Sequence, residues 1–358
     1  MTALLQRNKP TGQRQLRTPA AMASLALVAL AGCGAATATA ATTGKVPLVV
    51  YAAEGYDAAT CQAFQQYSGI QCELTDDSTG PLDQKVQAEI NHPTWGVLWT
   101  DGDEAFASLD QEHYLLRGFE PDVTLTAAAQ QATPSDKSYI ITGFTAMPAV
   151  VYQANVVTDP PTSWQDLLSP KWDGEVGMNN PSISGPTYPF VAGMMQQLGG
   201  VSQGEQFFSQ LKANGLHIYD TNKPTLAALE AGQIKLALVQ NSAAIGAELA
   251  DGALDLKEAY LPKVTMLPSV IGIDGKASAQ EISEAKAFVN FVFSGAGQSV
   301  RLGGDPEGDS LFWPSVQAYT QLPAVPAFSS IPYQILPAAT WGQQESTLNT
   351  WFTNNVVQ

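Results

Sequence analysis

From residue 46 onward, short apolar runs and polar turns alternate regularly along the chain. Val46 to Tyr51 (VPLVVY) is rich in β-branched residues, the pattern of a buried strand. Glu54-Gly55-Tyr56-Asp57 turns the chain, and AATCQAFQQYSG predicts a helix from about Asp57 to Tyr67, closed by Gly69. Ile70 to Leu74 reads as a second strand, followed by Asp77-Ser78-Thr79-Gly80 and a helical LDQKVQAEI. Val97 to Thr100 is a third strand, with Asp101-Gly102-Asp103 and a helix from Glu104 behind it. Strand, turn and helix recurring in this way predict a parallel α/β sheet. On such sheets ligands sit beyond the C-terminal ends of the strands, which makes these three loops the first places to look.

A long β-rich stretch, 138–152, then has the character of a crossing to a second unit. A new series follows: EVGMNN, a helix opened by Ser182-Ile183-Ser184-Gly185-Pro186-Thr187-Tyr188, and GLHIYD leading through Thr221-Asn222-Lys223-Pro224-Thr225 into TLAALEAG. KLALVQ is a strand ending at Asn241-Ser242, with the helical AAIGAELA after it. VTMLPSVIGID (264–274) reads as the return crossing, and EISEAKAFVNFVFSG rejoins the first unit. From Leu302 the chain is rich in Pro, Gly and aromatics, the composition of irregular structure wrapped over the first unit.

The N-terminus differs in kind. Residues 1–20 carry Arg7, Lys9, Arg14 and Arg17 without an acid, and an apolar run from Ala21 to Leu30 follows, too short to span a bilayer. It ends in Leu30-Ala31-Gly32-Cys33, which resembles a lipobox: residues 1–32 would be removed and the Cys33 thiol lipidated. The alternative is an ordinary secretory signal in which that cysteine is incidental. Residues 33–44 are small and polar, a flexible tether. Cleavage deletes four basic groups and no acid, taking the net charge from −16 to −20. So acidic a chain lacks the clustered Lys and Arg that nucleic-acid binding needs. Residues 33–358 exceed what one core commonly holds, so two lobes are expected. Cys61 and Cys72 are the remaining cysteines. Outside the reducing cytoplasm they are expected to pair, since a helix followed by a returning strand brings them together; two buried free thiols are the alternative.

Several segments, in order, resemble one family. VVYAAEGYD, QKVQAEINHPTWGVLWTDGD, SWQDLLSPKWDGEVGMNNPSISGPTYPF, GEQFFSQLKANG, TLAALEAGQIKLALVQNSAA and EAKAFVNFVFSGAGQ are similar to the periplasmic binding proteins of ABC importers. The branch resembled includes ferric-ion, 2-aminoethylphosphonate and sugar-phosphate binders. The resemblance implies a two-lobe α/β periplasmic-binding-protein fold, each lobe a mixed sheet flanked by helices, joined by two crossing strands. Lobe 1 would comprise 45–145 and 270–358, and lobe 2 would comprise 146–269. The implied role is that of a monomeric, lipid-anchored subunit on the outer face of the cell membrane. It would trap a small solute and hand it to the permease subunits, without a cofactor and without catalysis.

The resemblance also bears on the solute. Iron-binding members carry adjacent tyrosines after the strand matching KLALVQ; here the stretch is Gln240-Asn241-Ser242-Ala243-Ala244. His92, His113 and His217 are not at chelating spacing; the first two read as surface residues and His217 as packed. Iron would therefore need a new arrangement of Glu54, Tyr56, Asp101 or Tyr188. Ser78-Thr79-Gly80 and Ser184-Gly185-Pro186-Thr187 each put hydroxyls and a glycine at a helix start, where free N–H groups favour phosphate or phosphonate. The same residues equally serve as plain helix caps. Asn222 and Thr225 offer donors at a third helix start, where TNKPT equally reads as only a capped turn. Glu54, Asp101 and Asp103 lie at strand ends, where they either solvate and cap or pair with an ammonium; an aminoalkylphosphonate would use both sets. Tyr56, Trp99 and Tyr188 are candidates to line the cleft, with a place in the core as the alternative for Trp99, which sits on a strand. The sequence holds no GxSxG, HExxH, P-loop or CxxC, although some enzymes share this architecture.

Overall fold

The computed structural model of the chain describes residues 46–250 and 252–358. The expected leader 1–32, Cys33 and the tether 33–44 lie outside the described residues.

In chain order the first segments are β1 (Leu48–Ala52), α1 (Asp57–Ser68), β2 (Cys72–Asp76), α2 (Thr79–Ala88), β3 (Val97–Asp101), α3 (Glu104–Gln111), α4 (Ala127–Ala132) and β4 (Tyr139–Met147). The middle of the chain forms β5 (Ala149–Gln153), β6 (Val176–Asn179), α5 (Thr187–Leu198), α6 (Val201–Ala213), β7 (His217–Tyr219), α7 (Asn222–Glu230), β8 (Leu236–Val239), α8 (Asn241–Ala250) and β9 (Leu256–Ala259). Then come β10 (Val264–Ile273), α9 (Ala279–Phe293), α10 (Gly295–Gly304), β11 (Trp313–Pro314), β12 (Tyr333–Gln334), α11 (Ala338–Gly342) and α12 (Glu345–Phe352).

Two mixed sheets result. The first runs β11-β4-β10-β3-β1-β2 with β12 on β10, and the second runs β7-β6-β8-β5-β9. In each, parallel strands (β2-β1-β3; β7-β6-β8) meet an antiparallel strand that arrives from the other end of the chain. The chain passes between sheets at Pro148, which follows a cis peptide bond and separates β4 from β5. It returns through 260–263, where the Trp164 indole N–H donates to the Pro262 carbonyl at 2.8 Å. The whole of β10, from Val264, pairs within the first sheet. Both β4 and β10 are buried along their full length, as central strands covered on two faces must be.

Local sequence explains the helix ends. Gly69 takes the left-handed conformation (φ 68°) that closes α1, and Ser278 with Glu281 forms a capping box at α9. Cys61 on α1 and Cys72 on β2 are disulfide-bonded, with Cα atoms 5.6 Å apart. Phe64, Phe288 and Trp99 interlock between α1, α9 and the sheet, with centroids 5.1 and 6.0 Å from Phe288. Among the described residues no helix is long and apolar enough to cross a membrane.

The tail departs from expectation. It touches the first lobe through β11, β12 and α11, which packs on α3, but it also reaches the second lobe. Phe352 packs edge-on against Phe208 of α6 at 5.3 Å, and the Tyr188 hydroxyl donates to the Trp341 carbonyl. A ring contact and a hydrogen bond to backbone, neither marked by any periodicity, make this second anchorage.

Candidate functional site

The two lobes meet along a seam formed by the C-terminal ends of their parallel strands. From the first lobe come Glu54 (after β1), Asp101 (end of β3) and Asp309 (in the loop after α10). From the second come Gln240, Asn241 and Ser242, between β8 and α8. The Gln240 amide donates to Asp101 Oδ2 and to Thr145 Oγ1, both at 3.0 Å. Asn241 Oδ1 accepts the Ala146 N–H at 2.7 Å. Ser242 Oγ donates to Asp309 Oδ1 at 3.4 Å, and Asp309 Oδ2 accepts the Gly55 N–H at 2.9 Å. Glu54, only 3% exposed, accepts the Tyr56 hydroxyl at 2.8 Å and the Ser269 hydroxyl.

Burial dominates the electrostatics of this seam. It raises the Glu54 carboxyl to about 8, with Asp309 repulsion adding and the Ser269 and Tyr56 hydrogen bonds opposing. Burial likewise lifts Asp101 well above the carboxylate range, helped by Glu54 and Asp309, and lifts Asp309 to about 6. The nearby cation, Arg301, is itself buried. Its guanidinium lies over the rings of Phe312 (4.5 Å), Tyr56 (5.0 Å) and Trp99 (5.5 Å) and donates to the Thr142 carbonyl at 3.0 Å. Its pull on Glu54 ranks below the other influences, so the seam is rich in carboxyls and short of compensating positive charge.

The two hydroxyl-glycine loops do face each other across the lobes. The Gly80 N–H donates to the Ile183 carbonyl at 3.2 Å, and a Cβ on Gly185 would fall 2.2 Å from Thr79 Cβ. Yet their donors are largely spent. Pro81 and Pro189 remove an N–H from the first turns of α2 and α5, while the Thr187 and Tyr188 N–H groups bond the carbonyls of Ser184 and Gly185. Ser78 makes no side-chain cap, and Ser184 Oγ accepts from Asn179 at 3.3 Å. Thr187 Oγ1 is buried without a hydrogen-bond partner. A further close approach joins α8 to the loop after α10: a Cβ on Gly246 would lie 1.7 Å from the Glu307 carbonyl oxygen.

Other expected residues have inward roles. Asn222 Oδ1 accepts from Asn179 (2.7 Å) and from the Gln240 N–H (3.2 Å), and Thr225 Oγ1 donates to Asn179 Oδ1 at 2.6 Å. Asn222 and Thr225 thus brace the loops beneath the seam. Tyr56 and Trp99 help enclose Arg301, and Tyr188 holds the tail. His92 and His113 are exposed, and so is His217, because β7 is an edge strand. Among the described residues no group of three or more His, Cys, Asp or Glu is arranged to hold a metal ion. Sequence reasoning missed Gln240, Ser269, Arg301 and Asp309. Only Gln240 carried a local signal, as the last residue before the strand-end pair.

Comparison with solved structures places the architecture. Iron-bound HitA from Pseudomonas aeruginosa is 22% identical, with 85% of this chain and 98% of that one covered and a TM-score of 0.72. AfuA from Actinobacillus pleuropneumoniae, with fructose-6-phosphate bound, is 17% identical over 87% of this chain and 98% of its own, with a TM-score of 0.75. A periplasmic thiamin-binding protein is 16% identical over 88% and 97%, with a TM-score of 0.70. At these identities the likeness shows the two-lobe fold. No curated protein matches by sequence. The family model for bacterial extracellular solute-binding proteins matches residues 59–306, and the chain belongs to that family.

Proposed function

We propose that this chain is the lipid-anchored receptor of an ABC importer and that its solute carries a cationic, amine-bearing group. The observation behind the solute class is the trio Glu54, Asp101 and Asp309 at the lobe seam, raised by burial and mutual repulsion, with Arg301 reaching Glu54 by hydrogen bonds only through the Tyr56 hydroxyl. An ammonium between these groups would favour their charged forms and draw the lobes together, because both lobes contribute contacts. Gln240 and Ser242 supply second-lobe hydrogen bonds to two of the three carboxylates.

The aminoalkylphosphonate suggested by the sequence fits this reading through its amine. The spent N–H groups at α2 and α5 argue against a bare phosphate. Iron-bound HitA keeps ferric ion as the competing solute, but the seam lacks a metal-holding group. We read the chain as binding its solute without turnover, as a member of a solute-binding family.

Calorimetry with three probes tests the solute: 2-aminoethylphosphonate, ethylphosphonate and an alkylamine lacking the phosphonate. Binding that requires the amine supports the proposal; ethylphosphonate binding as tightly as the amino compound overturns it. The anchor is tested separately. Cys33→Ser should leave the protein unlipidated and released from membranes, and normal membrane retention would refute lipidation at Cys33.

A further inference from the structure

Arg301 lies in α10 and is only 1% exposed. Its terminal nitrogens donate to the Thr142 carbonyl at 3.0 Å, the Gln298 side-chain oxygen at 3.5 Å and the Tyr56 hydroxyl at 3.2 Å, so none of these bonds goes to a carboxylate. Its Nε is buried without a hydrogen-bond partner. The rings of Tyr56, Trp99 and Phe312 surround the guanidinium. If filling that aromatic box were its whole role, an uncharged side chain would do so without the cost of an incompletely bonded buried cation. The charge therefore acts on something that it reaches.

Hydrogen-bond chemistry says what. A guanidinium has donors and no acceptor, so the Tyr56 oxygen must accept from Arg301 and its own hydrogen must point elsewhere. That hydrogen goes to Glu54 Oε2, 2.8 Å away. The other terminal nitrogen grips the backbone of Thr142, whose hydroxyl lies 2.7 Å from Ser269 Oγ, the donor to Glu54 Oε1. Both oxygens of Glu54 are thus held by hydroxyls that Arg301 steadies, one directly and one through β4. The same segment fixes the turn before Tyr56: the Ser310 hydroxyl donates to the Arg301 carbonyl, and Asp309 Oδ2 accepts the Gly55 N–H at 2.9 Å.

We propose that Arg301 is a positioning residue for the seam: through the Tyr56 hydroxyl it aims Glu54 and favours its carboxylate form. The inference deepens the amine-solute reading of the seam and rests on it. The titratable and charged groups facing Glu54 are Tyr56 and Asp57 beside it in sequence, Asp101 at the end of β3, and Asp309 and Arg301 from α10 and its loop. In that set Arg301 is the cation. Burial raises Glu54 to about 8, and the Tyr56 bond and Arg301 both oppose that rise.

The test follows the Glu54 carboxyl by carbon-13 NMR titration of the solute-free mature protein, with Glu54→Gln identifying its signal. Arg301→Gln replaces a pure donor with an amide that also accepts. It should raise the midpoint by about one pH unit, because the cation and the fixed aim of the Tyr56 hydrogen are lost together. Arg301→Lys, again a donor without an acceptor, should recover part of that shift. In a Tyr56→Phe background the Arg301→Gln change should move the midpoint less, since only the cation's direct pull is left to lose. Binding of 2-aminoethylphosphonate to Arg301→Gln should weaken most near neutral pH and recover as pH rises past the new midpoint, a dependence that lost packing would not produce. An unmoved midpoint in Arg301→Gln overturns the proposal, and so does a shift of equal size with and without Tyr56→Phe. If Arg301→Gln does not fold, Tyr56→Phe alone decides, and an unmoved midpoint there overturns the proposal equally. Failure of the unaltered protein to bind 2-aminoethylphosphonate would count against the amine reading of the seam, while the titration still judges Arg301.

Discussion

The two faces that meet at the seam are built on different principles. The first lobe brings charge: Glu54 after β1, Asp101 at the end of β3 and Asp309 in the loop after α10. The second lobe brings neutral groups, Gln240, Asn241 and Ser242, together with Gly246, where backbone meets backbone. A carboxylate acts over several ångströms and decides which charge enters. An amide or a close glycine contact acts only at contact and decides whether the lobes can shut. On the function proposed above, the first face would set the class of solute, and the second how completely closure depends on fit.

The second-lobe half of this comparison can be broken with one methyl group. Gly246 lies in α8, where alanine is the better helix former by about 1 kcal/mol. Its added Cβ would fall 1.7 Å from the Glu307 carbonyl oxygen, so the lobes must separate or the backbone must shift. Overpacking of this kind costs roughly 1–3 kcal/mol, which corresponds to about a five- to 150-fold loss of affinity for the closing ligand. Gly246→Ala should therefore bind its solute more weakly and show a larger radius of gyration by X-ray scattering, with its helix content intact. Unchanged affinity would mean that closure tolerates a shift there and that distance is not what the second lobe controls.

How much of this was legible beforehand follows the same division. The βα units, the helix end at Gly69 and the pairing of Cys61 with Cys72 could be read because each depends on residues close in sequence. Glu54 and Asp101 were found because strand ends are local features. Asp309 and Arg301 were missed because nothing near them in sequence marks them. The fold carries them to Glu54 and Tyr56 from the far end of the chain. Pro81 and Pro189 were visible, and each removes a donor from a helix start that the sequence offers either as an anion site or as a plain cap. The tail's second anchorage rests on the Phe208–Phe352 ring contact and on the hydrogen bond from the Tyr188 hydroxyl to the Trp341 carbonyl, which join segments that no periodicity connects.

The first-lobe half can be sharpened by pH, with a smaller effect. Burial raises Glu54 to about 8, Asp57, Asp103 and Glu345 to about 7, and Asp309 to about 6, against roughly 4 for carboxyls in an unfolded chain. Between those limits the folded protein holds protons that the unfolded chain has released. Its stability is then fully present below the unfolded values and falls as pH rises through the folded ones. Scanning calorimetry of the solute-free mature protein should give a lower Tm at pH 8.5 than at pH 5.5. Each 1 kcal/mol lost lowers Tm by about 2–4 °C in a protein of moderate size. Glu54→Gln, which removes the most strongly raised of these five carboxyls, should shrink that drop. An amine solute should shrink it too, by stabilising the ionised carboxylates at high pH. A Tm that rises with pH would mean that these groups are already ionised and paired in the free protein. The first face would then carry no unsatisfied charge with which to choose a cation.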